Sequence, residues 1–236
     1  MNQPISIKIW SDIACPFCYI GKKHLESAIS HLSEDQKKQI LIEWKSFQLD
    51  PNLPDYSELS VTEYLSQRKG IPLDKLKIMN QRVSEMGESA GIHFEFDSIK
   101  LGNTFNAHKL LQFSKQMGKG QETKDRLLKA YFEEGVSVSS LENLSSIAEE
   151  IGLSAEETNN AFTNTLFADK VKTDIHEAQT LGISGVPFFV FNNKYAVSGA
   201  QPVSVFREVL ETVMNEKNDF HEQSMQGETC SPGEEC

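Results

Sequence analysis

Ile5-Ser6-Ile7-Lys8-Ile9-Trp10-Ser11-Asp12-Ile13-Ala14-Cys15-Pro16-Phe17-Cys18-Tyr19-Ile20 is the stretch whose reading decides the fold. Apolar and polar residues alternate from Ile5 until Trp10, the period-two signature of a β-strand. Ser11-Asp12 ends the strand. From Phe17 the apolar positions switch to helical spacing, with Tyr19-Ile20, Leu25, Ala28-Ile29 and Leu32 on one stripe, which predicts a helix over 17–32. Cys15 and Cys18 therefore sit where a strand gives way to a helix.

Further out, Ile40-Leu41-Ile42-Glu43-Trp44 reads as a second strand, and Asp50-Pro51-Asn52-Leu53-Pro54 as a loop, because two prolines deny it regular structure. Over 60–181 no convincing strand is found. Helical spacing recurs at 61–69, 72–91, 105–117, 124–134, 141–151, 155–164 and 167–181. Ser140 and Ser154 are placed as helix starts, and Gly152 and Gly182 suit helix ends. After Gly182 the pattern reverts. Phe188-Phe189-Val190-Phe191, the turn Asn192-Asn193-Lys194 and Tyr195-Ala196-Val197 predict a β-hairpin, followed by an amphipathic helix over 202–214. A βαβ unit and a β-hairpin-α unit are thus separated by about 120 residues of helix, too long for a loop. A helical insertion domain is expected at 58–179.

The start of a helix carries unpaired N–H groups and a partial positive charge, which favour a thiolate over a thiol. Only the thiolate attacks a disulfide. With two residues between them, the sulfurs of Cys15 and Cys18 can meet across the first helical turn, so one can attack a partner disulfide and the other can resolve the mixed intermediate. Pro16 suits that turn because its missing N–H is not needed there. Two competing readings stand beside this one: a buried, inert cysteine pair, and half of a four-cysteine zinc site. Downstream, Val186-Pro187 opens a strand with a residue that removes a ladder donor. A cis bond would leave the Val186 backbone free to pair with an extended substrate, and a trans proline at a strand start is the alternative.

Composition narrows the function classes. The chain has 236 residues, 39% of them apolar, with a net charge of −11. Such acidity argues against nucleic acid or an anionic membrane as a partner. No apolar run approaches the ~18–20 residues of a membrane-spanning helix. Met1-Asn2-Gln3-Pro4 shows neither the basic nor the long apolar region of a signal peptide, so the expected compartment is the cytoplasm. There is no phosphate loop, no dinucleotide-binding glycine pattern and no HExxH.

The cysteine motif with Ser11-Asp12 before it, Tyr19-Ile20-Gly21 after it, Gly185-Val186-Pro187-Phe188-Phe189-Val190 and Gly199-Ala200-Gln201 downstream resembles the DsbA-like oxidoreductases. It is most similar to their FrnE-type branch, and Asn103-Thr104-Phe105-Asn106-Ala107-His108 looks like a motif of that branch. The resemblance covers about residues 5–213. It implies an α/β, thioredoxin-like fold (1–57 with 180–215) interrupted by the all-helical insertion. It implies Cys15 as the attacking thiol, Cys18 as the resolving thiol, and Pro187 as a cis proline facing them, with Pro16, Phe17, Val186 and Pro187 contacting substrate. Partners would be disulfide- or thiol-containing proteins or small thiols, glutathione among them. No cofactor or metal is expected beyond the cysteine couple. Periplasmic members carry His where this chain has Phe17, so the couple here is expected to be less oxidising.

Two further functions compete. Glutathione-dependent isomerases and transferases share the fold but use bound glutathione instead of a two-cysteine couple. A redox-sensitive chaperone or binding module would use the apolar Phe17 rim and the acidic tail. That tail, 216–236, holds six acids and one lysine, and is expected to be disordered. Its Cys230 and Cys236 enclose a Pro-Gly turn. They can be an accessory redox pair, a metal site with His221, or a pair without catalytic part. His24 is taken as a surface residue, Trp10 and Trp44 as core, and Phe188, Phe189 and Phe191 as core. The polar groups of Asn103–His108 can line the cleft, and a helix cap by Asn103 is the competing, favoured reading.

Overall fold

A computed structural model describes residues 4–225. β1 (Ile5–Ser11) buries Ile5, Ile7 and Ile9 on one face and Trp10 on the other. α1 (Pro16–Ser30) follows and crosses to β2 (Ile40–Ser46), which pairs parallel with β1 from Ile5–Ile40 to Ser11–Ser46. Between them α2 (Glu34–Lys37) makes a single turn held by a Ser33/Gln36 capping box, too short to show a hydrophobic period.

β3 (Phe188–Phe191) pairs antiparallel with the other side of β1 and forms a hairpin with β4 (Tyr195–Ser198), giving the strand order β2-β1-β3-β4. Asn192 and Asn193, at φ 49° and 55°, are the left-handed central pair of the turn that the Lys194 N–H closes onto Phe191 O, within a three-residue hairpin loop. Asn192 also exchanges two hydrogen bonds with the backbone of Ser6, pinning the turn to β1.

Between β2 and β3 lie α3 (Val61–Lys69), α4 (Leu73–Ser89), α5 (Phe105–Gln116), α6 (Gly120–Phe132), α7 (Leu141–Glu150), α8 (Ala155–Thr163) and α9 (Thr165–Thr180), with no strand among them. Ser140 accepts from the Asn143 N–H, and Ser154 forms a full capping box with Glu157, as the residue pattern predicts. α6 starts earlier than expected, because its first turn, Gly120-Gln121-Glu122-Thr123, is polar and invisible to a hydrophobic period. Gly182, at φ 71°, ends α9 through the Ile183 N–H to Ala178 bond.

α10 (Val203–Met225) is longer than its apolar stripe predicted. The first part of the acidic segment expected to be disordered from residue 216 continues this helix instead: its residues are mostly polar but free of Pro and Gly up to Met225, so nothing local breaks the helix. Cys230 and Cys236 lie outside the described residues.

One continuous apolar core runs from Ile5, Ile7 and Phe189 under the sheet to Leu110, Leu127 and Leu144 of the helices. Phe206 of α10 meets Phe189 edge-on at 4.8 Å. Trp10 anchors a smaller cluster with Ala178 and Ile183, packed by Phe188 on the opposite sheet face. Trp44 is buried as expected, Phe189 and Phe191 fully so, and Phe188 only partly.

Candidate active site

The turn after β1 delivers Cys15 as the N-cap residue of α1, at φ −103° and ψ 111°, with Pro16 at the first helical position. No side chain caps this helix start, and the Cys18 N–H reaches back to Cys15 O at 3.0 Å. Both thiols are free and nearly fully buried. Val186-Pro187 is cis, and its Val186 carbonyl lies 3.5 Å from Cys15 Sγ. Two segments far apart in sequence are therefore brought together, as the family resemblance implied. Gly21 permits this approach, since a Cβ there would stand 3.1 Å from Pro187 Cγ and 3.2 Å from Phe189.

The two thiols titrate as a pair. The hydrogen bond to Cys18 pushes the Cys15 thiol well up, and burial and the charge on Cys18 add to the effect. Burial works against a thiolate at Cys18 too. It is outweighed there by the hydrogen bond from Cys15, the Lys124 charge and hydrogen bonds from Ser11 and the Asp12 backbone, so Cys18 falls below the ordinary thiol value. The pair thus loses its first proton below the usual range and its second far above it. Attack by Cys15, the sulfur that faces Val186, therefore requires the pair's negative charge to move from Cys18 to Cys15.

Two charged residues near the pair, Lys124 and Asp12, escaped the sequence reading as functional groups, and His108 was noted only within a stretch that could line the cleft. Lys124 on α6 is fully buried, its Nζ has no hydrogen-bond partner among the described residues, and it stands 5.3 Å from the centre of the Trp44 ring. Burial lowers its pKa to about 8, against the pull of Cys18, Asp12 and Cys15. Asp12 accepts from His108 Nε2 at 3.1 Å and from the Leu49 N–H at 2.8 Å, and the Asp12 and His108 side chains are both buried. Burial alone would raise the Asp12 carboxyl, but His108 and the Leu49 N–H hold it below its ordinary value. His108 belongs to the noted Asn103–His108 stretch, and the signal that could have found it is its place on the buried face of an amphipathic helix.

Asn103 does not cap α5 in the simple sense. Thr104 occupies the N-cap position, while Asn103 Oδ1 accepts from Phe105 N–H and its amide donates to Pro51 O and Leu53 O. Asn103 therefore fixes the proline loop beside the cysteines. His24 is half-buried, its Nδ1 2.8 Å from Gln201 O, so it braces the chain between β4 and α10. Among the described residues, no three His, Cys, Asp or Glu side chains converge as a metal site would require.

Cys15 opens onto a chamber of about 350 Å³. Pro16 and Phe17 form its edge with Val186, and Phe17 remains 41% exposed there. α3 and α4 roof it, and the Asn103-fixed loop closes one side.

Comparison with known proteins agrees with this geometry. The DSBA-like thioredoxin domain family matches residues 6–211. The chain is 26% identical over 219 residues to the uncharacterized protein YwbO of Bacillus subtilis (strain 168), covering 90% of this chain and 99% of that one. A probable DsbA oxidoreductase from Streptomyces coelicolor superposes with a TM-score of 0.84 at 32% identity, covering 90% of this chain and 91% of the other. The cytosolic disulfide reductase DsbM of Pseudomonas aeruginosa shares the fold, at a TM-score of 0.63 and 14% identity over 89% of this chain and 98% of that one. With a thioredoxin-type sheet, a cysteine pair at the tip of α1 and a cis proline against it, this chain is a DsbA-type oxidoreductase and belongs to the family of DSBA-like thioredoxin domains.

Proposed function

We propose that the protein exchanges disulfides with thiol or disulfide partners through Cys15 and Cys18. The observation that carries this reading is the position of Cys15 Sγ, at a helix N-terminus and 3.5 Å from the backbone of the cis-proline loop. The helix start favours the thiolate, and the Val186 backbone offers a place for a substrate to lie. In the reducing direction the Cys15 thiolate attacks a sulfur of the partner disulfide and expels the other sulfur as a thiolate. Cys18 then attacks Cys15 Sγ and releases the second partner thiol. The two protons of the dithiol end on the two released thiols, and two electrons pass to the partner. Pro16, Phe17, Val186 and Pro187 act as the contact surface.

The cytoplasm is the proposed compartment, supported by the shared fold with the cytosolic reductase DsbM. In a cytosol held reduced by glutathione and thioredoxin, such a couple runs as a reductant. Glutathione is a fitting small-thiol partner, since DsbM has been crystallised with it. Phe17 between the cysteines, in place of a polar or charged donor, suits a moderate couple.

Trapping tests the proposal. Cys18→Ser is expected to accumulate a mixed disulfide on Cys15, while Cys15→Ser forms none and turns over at background rate. A redox titration with thiol alkylation is expected to show one two-electron transition. A Cys15/Cys18 pair that stays reduced across the whole range of glutathione poise would sink the exchange reading.

A further inference from the structure

We propose that the chamber beside Cys15 binds a neutral apolar group carried on the substrate's sulfur, so that this enzyme reduces low-molecular-weight disulfides with an aromatic or branched alkyl half. This rests on the exchange reading above and names its substrate class.

Size comes first. About 350 Å³ lies at the small end of small-molecule sites. Chemistry comes second. The walls are Leu53, Leu65, Leu76, Met79, Val83 and Ile99, and the charged residues beside them are Asp12, Asp50 and Lys69. Asp50 takes both the Tyr64 hydroxyl and the Arg68 guanidinium. Asp12, on the floor, is committed to His108 and the Leu49 N–H. A glutathionyl group would bring two carboxylates and an ammonium against these apolar walls with Lys69 as the single lining cation to meet them, so glutathione belongs outside the chamber, as the leaving half of a disulfide. A peptide entering the chamber would bring amide N–H and C=O groups that meet the same walls. A ring or branched alkyl chain loses nothing there and removes its own surface from water. Enclosure comes third. α1, the proline loop, α3, α4 and the segment around Ile99 surround the space, leaving Cys15 and Val186 at its opening. A group bonded to the attacked sulfur can enter, and the other half of the disulfide remains outside.

The step balances as before. The Cys15 thiolate attacks the sulfur that bears the apolar group, and the outer thiolate leaves. Cys18 then attacks Cys15 Sγ and expels the apolar thiol, both leaving groups taking the two dithiol protons.

The test uses the full chain, pre-reduced, in single turnover against two probes with alkyl sulfurs of similar reactivity: the mixed disulfides of cysteamine with ethanethiol and with 2-phenylethanethiol. Dithiol loss is followed by acid quench and alkylation. The phenylethyl probe is expected to react at least tenfold faster than the ethyl probe. Met79 is 49% exposed, so Met79→Asp tolerates folding, and it is expected to bring that ratio close to one. Val83→Trp, which fills the space, is expected to do the same. A ratio near one in the native chain, or a ratio that persists in both variants, overturns the proposal while leaving disulfide exchange intact. A Phe-Cys-Phe peptide disulfide that outruns the phenylethyl probe in a Met79-dependent way overturns the small-molecule assignment in favour of a protein substrate. Failure of both cysteamine probes to oxidise the Cys15/Cys18 pair removes the exchange reading along with it.

Discussion

A buried ammonium without a hydrogen-bond acceptor costs stability unless an anion forms beside it, and Lys124 is in that position beneath Cys18. A fall from 10.5 to about 8 corresponds to roughly 3 kcal/mol against the charged form. The unfolded lysine keeps its proton up to about 10.5, so between about pH 8 and 10.5 the unfolded chain binds more protons, and stability is regained as pH rises through that window. Lys124→Met is therefore expected to stabilise the oxidised protein near neutral pH, where no thiolate compensates the charge, and to stabilise the reduced protein less. The same variant is expected to raise the first thiol pKa and make the couple less oxidising, read from thiolate absorbance and a redox titration. Equal stabilisation of both redox states would show that Lys124 does not sense the thiolate. Asp12 works in the opposite sense. Its folded pKa lies below 3.8, so its pairing stabilises the protein above that value and is lost as pH falls through the folded value. Asp12→Asn is expected to lose about 1–3 kcal/mol at pH 7 and to flatten the acid limb of the stability curve, measured by urea titration between pH 2 and 7. At this scale the cysteine pair was legible because its chemistry is written in four adjacent residues, whereas the residues around Val186-Pro187 left cis and trans open and only the family resemblance implied cis. Lys124 was not legible, because a lysine in a polar first turn looks like any solvated lysine, and only the packing of α6 on the sheet shows which way it faces.

Between elements, Asp174 of α9 holds the helices to the end of β2. Its carboxylate accepts from the Ser46 N–H at 2.8 Å, the Gln112 amide at 2.5 Å and the Lys45 ammonium at 3.0 Å, while its backbone carbonyl takes the Trp10 indole at 3.0 Å. Lys45 is held well above its usual value: burial opposes the charge, but Asp174 and Glu177 outweigh it. Asp174→Ala would leave the Ser46 N–H and the Gln112 amide buried without this acceptor, and is expected to cost about 3 kcal/mol, seen as a lower urea midpoint at unchanged slope. Gly21 makes the second joint. Gly21→Val would drive γ-carbons into Pro187 and Phe189, and is expected to destabilise by about 1–3 kcal/mol and to slow dithiol oxidation by displacing the cis-proline loop. The long elements were readable because each shows its period and several carry caps. The single turn of α2, the polar start of α6 and the far end of α10 were not, because none of them presents an apolar stripe. How the helices dock was unreadable for another reason: Asp174 and Gln112 carry no local mark of partners so distant in sequence.

For the molecule as a whole, the thioredoxin-type sheet and the helices share one core, and the site is built from both. The cysteines come from α1, the cis proline from the segment before β3, and Lys124, His108 and the chamber roof from the helices between. Over this shared frame lies a net charge of −11. Charge of one sign repels like-charged reactants over about a Debye length, ~30 Å at 0.01 M salt but ~10 Å at 0.1 M. The pre-reduced protein is therefore expected to react with the dication cystamine at a rate that falls as salt rises, and with anionic glutathione disulfide at a rate that climbs. Intrinsic reactivities differ between the two disulfides, so the diagnostic quantity is the opposite sign of the two salt slopes, not the ratio of rates. Residues 217–236 carry five acids and Lys217, so a chain ending at Glu216 loses four negative charges. If the tail's field reaches the cysteines, both slopes shrink in the shortened chain. Slopes unchanged by truncation would assign the field at Cys15 to the folded body alone, and slopes of the same sign for both disulfides would remove long-range electrostatics from the account of substrate approach.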